Sequence, residues 1–325
     1  MATNPENKAF LIGNGINRAN SNGVKSWKEL LEDLSQSFSV KIDLTNDLKP
    51  FPLSFEEILF RSTGEFDFKI REIKERIAKY FRLTPKSDLH ELFVNSGITN
   101  ILTTNYDYAF EKVLIEDFNN DKKDTARSTE ETLNSIKRRT VFKDSNLSVW
   151  HIHGEINQRL YPSKKVSTAN SIMIGYEHYG KYFYEIQSYI SGKKYENEMS
   201  ILDKARDSNY APKSWIDFFF MGELHIAGLS FDFSEYHLWW LLNFRAKQIK
   251  QERLKSLSKI YYYHSIMPEV DESERGKFVN QVIKRKMNQA KSDLFKALGI
   301  EIVPIQIQLN DYRDFYEQVC NRALR

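Results

Sequence analysis

Four short polar clusters contain residue types suited to chemistry on a small polar molecule. They combine amides, hydroxyls, imidazoles and closely spaced glycines: Gly13-Asn14-Gly15-Ile16-Asn17, Thr103-Thr104-Asn105-Tyr106-Asp107, His151-Ile152-His153-Gly154 and Gly228-Leu229-Ser230. An imidazole exchanges a proton near neutral pH, and an amide both donates and accepts hydrogen bonds. Glycine lets the backbone N–H groups of a turn approach a phosphate. Each cluster alone also fits an ordinary structural role, as a tight turn, a helix N-cap or a pair of buried histidines.

Each cluster follows or ends an apolar segment with the length and composition of a buried strand. Two more such segments follow toward the C-terminus, and the full set is Ala9–Ile12, Ile98–Thr103, Ser148–Ile152, Leu224–Leu229, Ile260–Tyr263 and Ile300–Ile305. Segments with the apolar spacing of helices lie between these strands. One begins at Trp27, where Ser26 and Glu29 form a capping-box pattern, and a final helix is predicted from Asp311 to Ala323. Strands that alternate with helices predict an α/β fold: a Rossmann-like doubly wound parallel sheet with helical insertions. Such sheets bind ligands beyond the carboxyl ends of their strands, where these clusters lie.

The whole chain, residues 1–325, is predicted to form a single domain. Segments without a strand pattern are predicted as helical or irregular insertions at approximately 40–95, 117–145 and 157–215. Within the second of these, Asp121 to Thr140 is charged and poor in apolar residues, which predicts an irregular excursion. A helix is expected to begin at about Asp107, with Asn105 or Asp107 as a possible N-cap.

Composition excludes several classes of protein. Lys and Arg number 47 against 44 Asp and Glu, a formal net charge of +3, which argues against a dedicated nucleic-acid binder. Cys320 is the single cysteine, so no disulfide framework and no zinc site with several thiolates can form. The sequence has neither a long apolar run nor a signal-like N-terminus, so we expect no membrane span and a cytoplasmic location.

His151 and His153 alternate along a predicted strand, which would place both imidazoles on one face. Such a pair can bind a metal, but no nearby cysteine and no clear carboxylate partner accompanies it. We therefore interpret it as two partly buried histidines, and expect no metal site.

In this order along the chain, the clusters resemble the sirtuin-like NAD-binding family, and more closely its prokaryotic branch of NAD-degrading anti-phage proteins. Other matching segments are Trp27-Lys28-Glu29-Leu30-Leu31, His90-Glu91-Leu92 and Tyr176-Glu177-His178-Tyr179-Gly180. The resemblance therefore spans most of residues 9–235. Two features of protein-deacylating sirtuins are missing: a four-cysteine zinc module, and a Gly-Ile-Pro-Asp-Phe-Arg type of loop at residues 17–23. Their absence argues against deacylation, and no zinc is expected.

The resemblance implies roles for individual residues. Asn105 and His153 are implied as catalytic, with Asn105 holding a ribose hydroxyl and the attacking water, and His153 positioning or deprotonating a hydroxyl or water. The residues implied in binding NAD are Gly13, Asn14, Gly15, Asn17, Thr104, Asp107, Gly228 and Ser230. Of these, Asp107 would accept hydrogen bonds from the nicotinamide amide, and His151 is interpreted as structural.

The activity implied is hydrolysis of NAD to nicotinamide and ADP-ribose in abortive-infection defence. An NADase that is always active would kill its host, so we expect control by a homo-oligomer or a partner protein, and the resemblance suggests a HerA-like ATPase or a short Argonaute. Two alternatives remain open at the level of sequence. One is an NAD-dependent protein deacylase or ADP-ribosyl transferase, and the other is a non-catalytic sensor of NAD or ADP-ribose.

Overall fold

In the computed structural model, eight strands form one mixed sheet in the order β3-β4-β5-β2-β1-β6-β7-β8. The structure describes residues 7–19, 24–44, 49–115, 125–127, 136–142, 144–156, 172–193, 198–254, 258–266, 289–308 and 311–325. The strands are β1 (Lys8–Ile12), β2 (Asn100–Thr103), β3 (Thr125–Arg127), β4 (Arg139–Phe142), β5 (Leu147–His151), β6 (Glu223–Ala227), β7 (Lys259–Ile266) and β8 (Glu301–Gln306).

The six strands from β5 to β8 in this order pair in parallel. Numbered along the chain among themselves, they follow the order 3-2-1-4-5-6, which is the order of a doubly wound Rossmann sheet. The predicted fold class is thus confirmed. The strand order reverses between β1 and β6, where the crossover connections leave the sheet in opposite directions.

Helices cover both faces because the central strands bury side chains on both sides. In β1, Phe10 and Ile12 belong to one hydrophobic core, while Ala9 and Leu11 belong to the other. The helices are α1 (Gly15–Ala19), α2 (Trp27–Ser37), α3 (Phe51–Arg61), α4 (Phe66–Arg82), α5 (Asp88–Val94), α6 (Glu111–Leu114), α7 (Tyr176–Ser191), α8 (Ile201–Arg206), α9 (Phe218–Met221), α10 (Tyr236–Lys250) and α11 (Tyr312–Ala323). Residues 215–217 form a 3₁₀ turn, and residues 289–297 are helical.

Two helix starts test the local predictions. Ser26 caps α2, and its hydroxyl accepts from the N–H of Glu29 while the Glu29 carboxylate accepts from the N–H of Ser26, so the predicted capping box is confirmed. The helix expected from Asp107 begins instead at Glu111. Asp107 Oδ1 accepts a hydrogen bond from the N–H of Ala109, which satisfies that donor outside any helix and delays the helix start.

The expectation of a helical or irregular insertion at approximately 117–145 is wrong for two short segments, which are strands. β4 pairs antiparallel with β5, and β3 pairs antiparallel with β4. Thr140 and Phe142 are buried while Arg139 and Val141 are half-buried, so β4 shows the alternation of a strand with one buried face. Its four residues are too few for that alternation to stand out against the charged surroundings. Residues 117–124, 128–135 and 143 of that excursion lie outside the described residues, as do residues 157–171 and 194–197 of the third predicted insertion.

In the described part of the chain, no helix combines the length and apolar character needed to cross a membrane.

Candidate functional site

A cleft of about 800 Å³ opens at the carboxyl edge of the sheet, at the point where the strand order reverses. The residues that follow four parallel strands line it: Asn14 and Gly15 after β1, Thr104 after β2, His153 after β5 and Ser230 after β6. Its volume lies in the range of natural small-molecule sites. The strand-end clusters that the sequence singled out therefore meet in one place.

The glycine turns after β1 and β6 cross in backbone contact and form the floor of the cleft. Gly13 N donates to Ala227 O at 3.1 Å, and Gly15 N donates to Gly228 O at 2.8 Å. A Cβ atom at Gly13 or Gly15 would lie within 2.7 Å of Gly228 O. These glycines are thus needed for the crossing, and the amides of Gly13 and Gly15 are engaged within the protein. These two amides are therefore not available to a phosphate in this structure, while Gly15 and Gly228 line the cleft.

Asn17 and Asp107 lie behind the cleft and contact each other. Asn17 Nδ2 donates to Asp107 Oδ2 at 2.8 Å and to Asn14 Oδ1 at 3.1 Å, while Asn17 Oδ1 lies 3.1 Å from His90 Nε2. Burial raises the pKa of Asp107, and it lowers that of His90 to about 3, so His90 is neutral and donates through Nε2. Both Asn17 and Asp107 are buried and do not line the cleft. In this arrangement they orient Asn14, which does line it.

Asn105 is buried between two lining residues, Thr104 and Tyr106, but does not itself line the cleft. Its backbone N–H donates to Thr103 Oγ1 at 3.0 Å. Its side-chain Nδ2 lies 3.5 Å from Gly13 O, at the outer limit of a hydrogen bond. The amide is therefore loosely held against the floor of the cleft.

His151 and His153 do not share a strand face, contrary to expectation. His151 is the last residue of β5, and the chain turns at 152–153, so the period-two alternation stops between them. His151 donates to Glu111 Oε1 at 2.7 Å and to Asn105 O at 3.1 Å, with both side chains buried. Burial by itself lowers the pKa of His151, but the charge and hydrogen bond of Glu111 raise it to about 9, so the pair is ionic. This contact gives His151 the structural position that the sequence favoured.

His153 faces the cleft and contacts two residues that sequence reasoning did not select. Its Nε2 atom lies 3.1 Å from Glu235 Oε2 and 3.2 Å from His237 Nε2. The ring of Tyr179 packs edge-on against the imidazole of His153, with centroids 5.6 Å apart. Glu235 and Tyr179 also line the cleft, whereas His237 is fully buried behind them.

The electrostatics of this cluster keep Glu235 anionic and His237 neutral. Burial would raise the pKa of Glu235, but the charge and proximity of His153, with a smaller effect of His237, lower it overall. Burial, reinforced by the charge of His153, lowers the pKa of His237 to about 3. A carboxylate beside His153 Nε2 favours a proton on that nitrogen, which leaves Nδ1 as the acceptor.

Aromatic rings and cations form the outer walls of the cleft. Trp27 stands 4.5 Å from Phe51 and 5.4 Å from Tyr106 between ring centroids. Arg18 and Lys28 are exposed along the same rim. The cleft thus offers flat apolar surfaces for a ring system and positive charge for an anionic group.

Glu235 and His237 stand at the start of α10, two residues apart, directly after the loop that follows β6. Their position could have identified them from the sequence, since a carboxylate and an imidazole beyond the carboxyl end of a parallel strand are candidates for a ligand site. The pattern is hard to recognise because the segment is rich in aromatic residues such as Trp239 and Trp240, which are typical of a core helix.

These features define a Rossmann-like α/β protein with its cleft at the topological switch point. A protein-family model for the SIR2-like domain matches residues 99–232, from the start of β2 to the loop after β6, and supports a sirtuin-like family and a function related to NAD. The matched range contains three of the four polar clusters, including Asn105, His153 and Ser230. No curated protein matches the chain.

Proposed function

We propose that the protein is an NAD glycohydrolase, which cleaves the nicotinamide–ribose bond of NAD to give nicotinamide and ADP-ribose. The observation that carries this proposal is the convergence of Thr104, His153 and Ser230 on one cleft of about 800 Å³ at the switch point. The SIR2-like match over residues 99–232 adds the NAD-related family context.

Cleavage of the nicotinamide–ribose bond needs no strong general acid. The nicotinamide nitrogen is cationic in NAD, so the C–N bond breaks with its electron pair going to nicotinamide, which leaves as a neutral molecule. The oxygen of water forms the new bond to the ribose carbon, and its proton goes to a base. His153 is proposed to be this base, because Glu235 Oε2, 3.1 Å from Nε2, would stabilise the imidazolium that forms.

Asn105 is proposed to hold the attacking water or a ribose hydroxyl. Its amide makes one long hydrogen bond among the described residues, at 3.5 Å, so donor and acceptor capacity remain for a ligand. Asn14, Ser230 and the exposed Arg18 line the cleft, beside the buried Asn105, and are proposed to contact the ribose and phosphate groups.

The decisive experiment follows NAD consumption by purified protein and separates the products by chromatography. We expect nicotinamide and ADP-ribose from the wild type, and a loss of about 10²-fold or more in His153→Ala and Asn105→Ala. His225→Ala is the matched control, since His225 is equally buried and also pairs with a glutamate, Glu223, but at the opposite edge of the sheet. Thermal melts verify that each variant is folded.

Three other outcomes would each contradict NAD hydrolysis and indicate a different function, and a fourth would show that the His153 result is not specific. NAD that binds but stays intact would identify a sensor, and turnover that requires an acylated peptide would identify a deacylase. Transfer of ADP-ribose to a protein would identify a transferase. Equal loss of activity in His225→Ala would show that the effect of the His153 variant is not local.

We further propose that the enzyme acts in anti-phage defence and is held inactive by a homo-oligomer or a partner protein, consistent with the resemblance and with the toxicity of unrestrained NAD loss. Gel filtration combined with the NAD assay tests this control. A lone monomer with full activity would refute it.

A further inference from the structure

Three side chains beside the cleft present ligand atoms at the mutual spacing of a metal site. Nε2 of His153 lies 3.2 Å from Nε2 of His237 and 3.1 Å from Oε2 of Glu235, and the last two atoms are 3.9 Å apart. Zinc bonds of 2.0–2.2 Å in a tetrahedron place ligand atoms about 3.3 Å from one another. Two of the three spacings already agree, and the third must close by about 0.6 Å.

Two polar atoms of this cluster have no hydrogen-bond partner among the described residues. Glu235 Oε2 is buried and close to His153 Nε2, yet it lies off the direction of a hydrogen bond, and His237 Nδ1 is also unpartnered. A buried carboxylate oxygen without a donor is costly. A cation in contact with Oε2 would remove that cost, and it would also relieve the close approach of two imidazole nitrogens that compete for one proton.

We propose that His153, Glu235 and His237 bind a zinc-class divalent cation through Nε2, Oε2 and Nε2. Two imidazoles and a carboxylate suit zinc, whereas calcium and magnesium prefer oxygen ligands. His153 and Glu235 line the cleft, so the cation would be within reach of solvent in the cleft, from which a water could complete its coordination. From the sequence we expected no metal site, because no carboxylate partner for His153 was evident there. Glu235 provides that carboxylate.

The cation would act as an inhibitor, a consequence that rests on the proposed NAD hydrolysis. His153 and Glu235 both line the cleft, so a cation bound to them would stand where the attacking water is proposed to lie. It would also engage the Glu235 carboxylate that is proposed to stabilise the imidazolium of His153.

Metal binding is tested without NAD, on the intact chain. We expect equilibrium dialysis to show one Zn²⁺ per chain, and Co²⁺ to give the visible absorption of a tetrahedral complex. Glu235→Gln and His237→Ala should each weaken binding by more than about tenfold. Glu223→Gln is the matched control, because Glu223 Oε1 lies 2.9 Å from His225 Nε2 without a third ligand within the described residues.

Thermal melts show which variants fold. If His237→Ala does not fold, Glu235→Gln decides the question, because it keeps the shape of the side chain. Wild-type binding no tighter than that of Glu235→Gln would overturn the proposal, as would equal weakening by Glu223→Gln. The inhibitory step is measured separately, as loss of NAD turnover with Zn²⁺ and recovery with a chelator. Zinc binding with no NAD turnover under any condition would refute the proposed hydrolase and leave the metal site standing.

Discussion

Lys74 is a buried lysine whose amine should make the protein less stable near neutral pH than at higher pH. It lies on α4 with 1% of its surface exposed, and its Nζ donates to His178 Nε2 at 2.7 Å. His178 Nδ1 donates in turn to Ile174 O, so His178 is neutral and offers no compensating charge. Burial lowers the pKa of Lys74 from 10.5 to about 7, with Glu177 opposing and Lys181 adding to this shift.

The sign and size of the effect follow from this pKa. Between pH 7 and 10.5 the unfolded chain keeps the Lys74 proton while the folded chain loses it, so the free energy of unfolding rises with pH. The shift from 10.5 to about 7 corresponds to about 5 kcal/mol over the full range. From pH 7 to pH 9 the rise is about 2 kcal/mol.

The assay is urea unfolding of wild type and Lys74→Met at pH 7 and pH 9. We expect wild type to gain about 2 kcal/mol relative to the variant between the two pH values, because methionine removes the titrating group. Lys79→Met is the matched control: Lys79 lies on the same helix and is exposed, so the change of net charge is identical. If the stability difference between wild type and Lys74→Met does not change with pH, burial does not lower the pKa of Lys74 and the reasoning fails.

Two further substitutions test the support of the cleft. Gly228 has φ +64°, and a Cβ there would lie 2.4 Å from Tyr316 Oη. Gly228→Ala should therefore destabilise the fold by at least about 1–2 kcal/mol in urea unfolding. Adding Tyr316→Phe to the same chain should recover part of the loss, whereas no recovery would show that the strain does not come from Tyr316. Glu111→Gln leaves the buried His151 without its charged partner, so we expect a loss of about 3–5 kcal/mol and a change in the His151 proton resonances by NMR; an unchanged stability would contradict the buried ion pair.

The architecture could be predicted from sequence because each central strand is buried on both faces and reads as an uninterrupted apolar run, as at Ala9–Ile12. The meeting of polar clusters at one edge then follows from parallel pairing. The short strand β4 could not be predicted, because its burial depends on pairing with β5 rather than on its own four residues.

The details of the site depend on contacts between residues far apart in the chain. His153 meets His237 across 84 positions, and no local pattern specifies that contact. Asp107 and Asn17 are polar residues that follow strands, as the sequence indicated, but their side chains hydrogen-bond to each other and do not face the cleft. A strand-end position therefore predicts proximity to the cleft, while hydrogen bonding decides which side chains remain available to a ligand.

The crossed glycine turns also determine which parts of the cleft can move. The Gly13 amide bonds to Ala227, the last residue of β6, and the Gly15 amide bonds to Gly228 directly after it. The floor therefore continues the ladder between β1 and β6 and shares the rigidity of the sheet. Any widening for a large ligand to enter or leave must come from the walls. There, Tyr176 at the start of α7 donates its N–H to Glu56 Oε1 of α3 at 2.9 Å. The passage of ligands would thus be governed by contacts between helices, and the geometry of the floor would stay constant throughout.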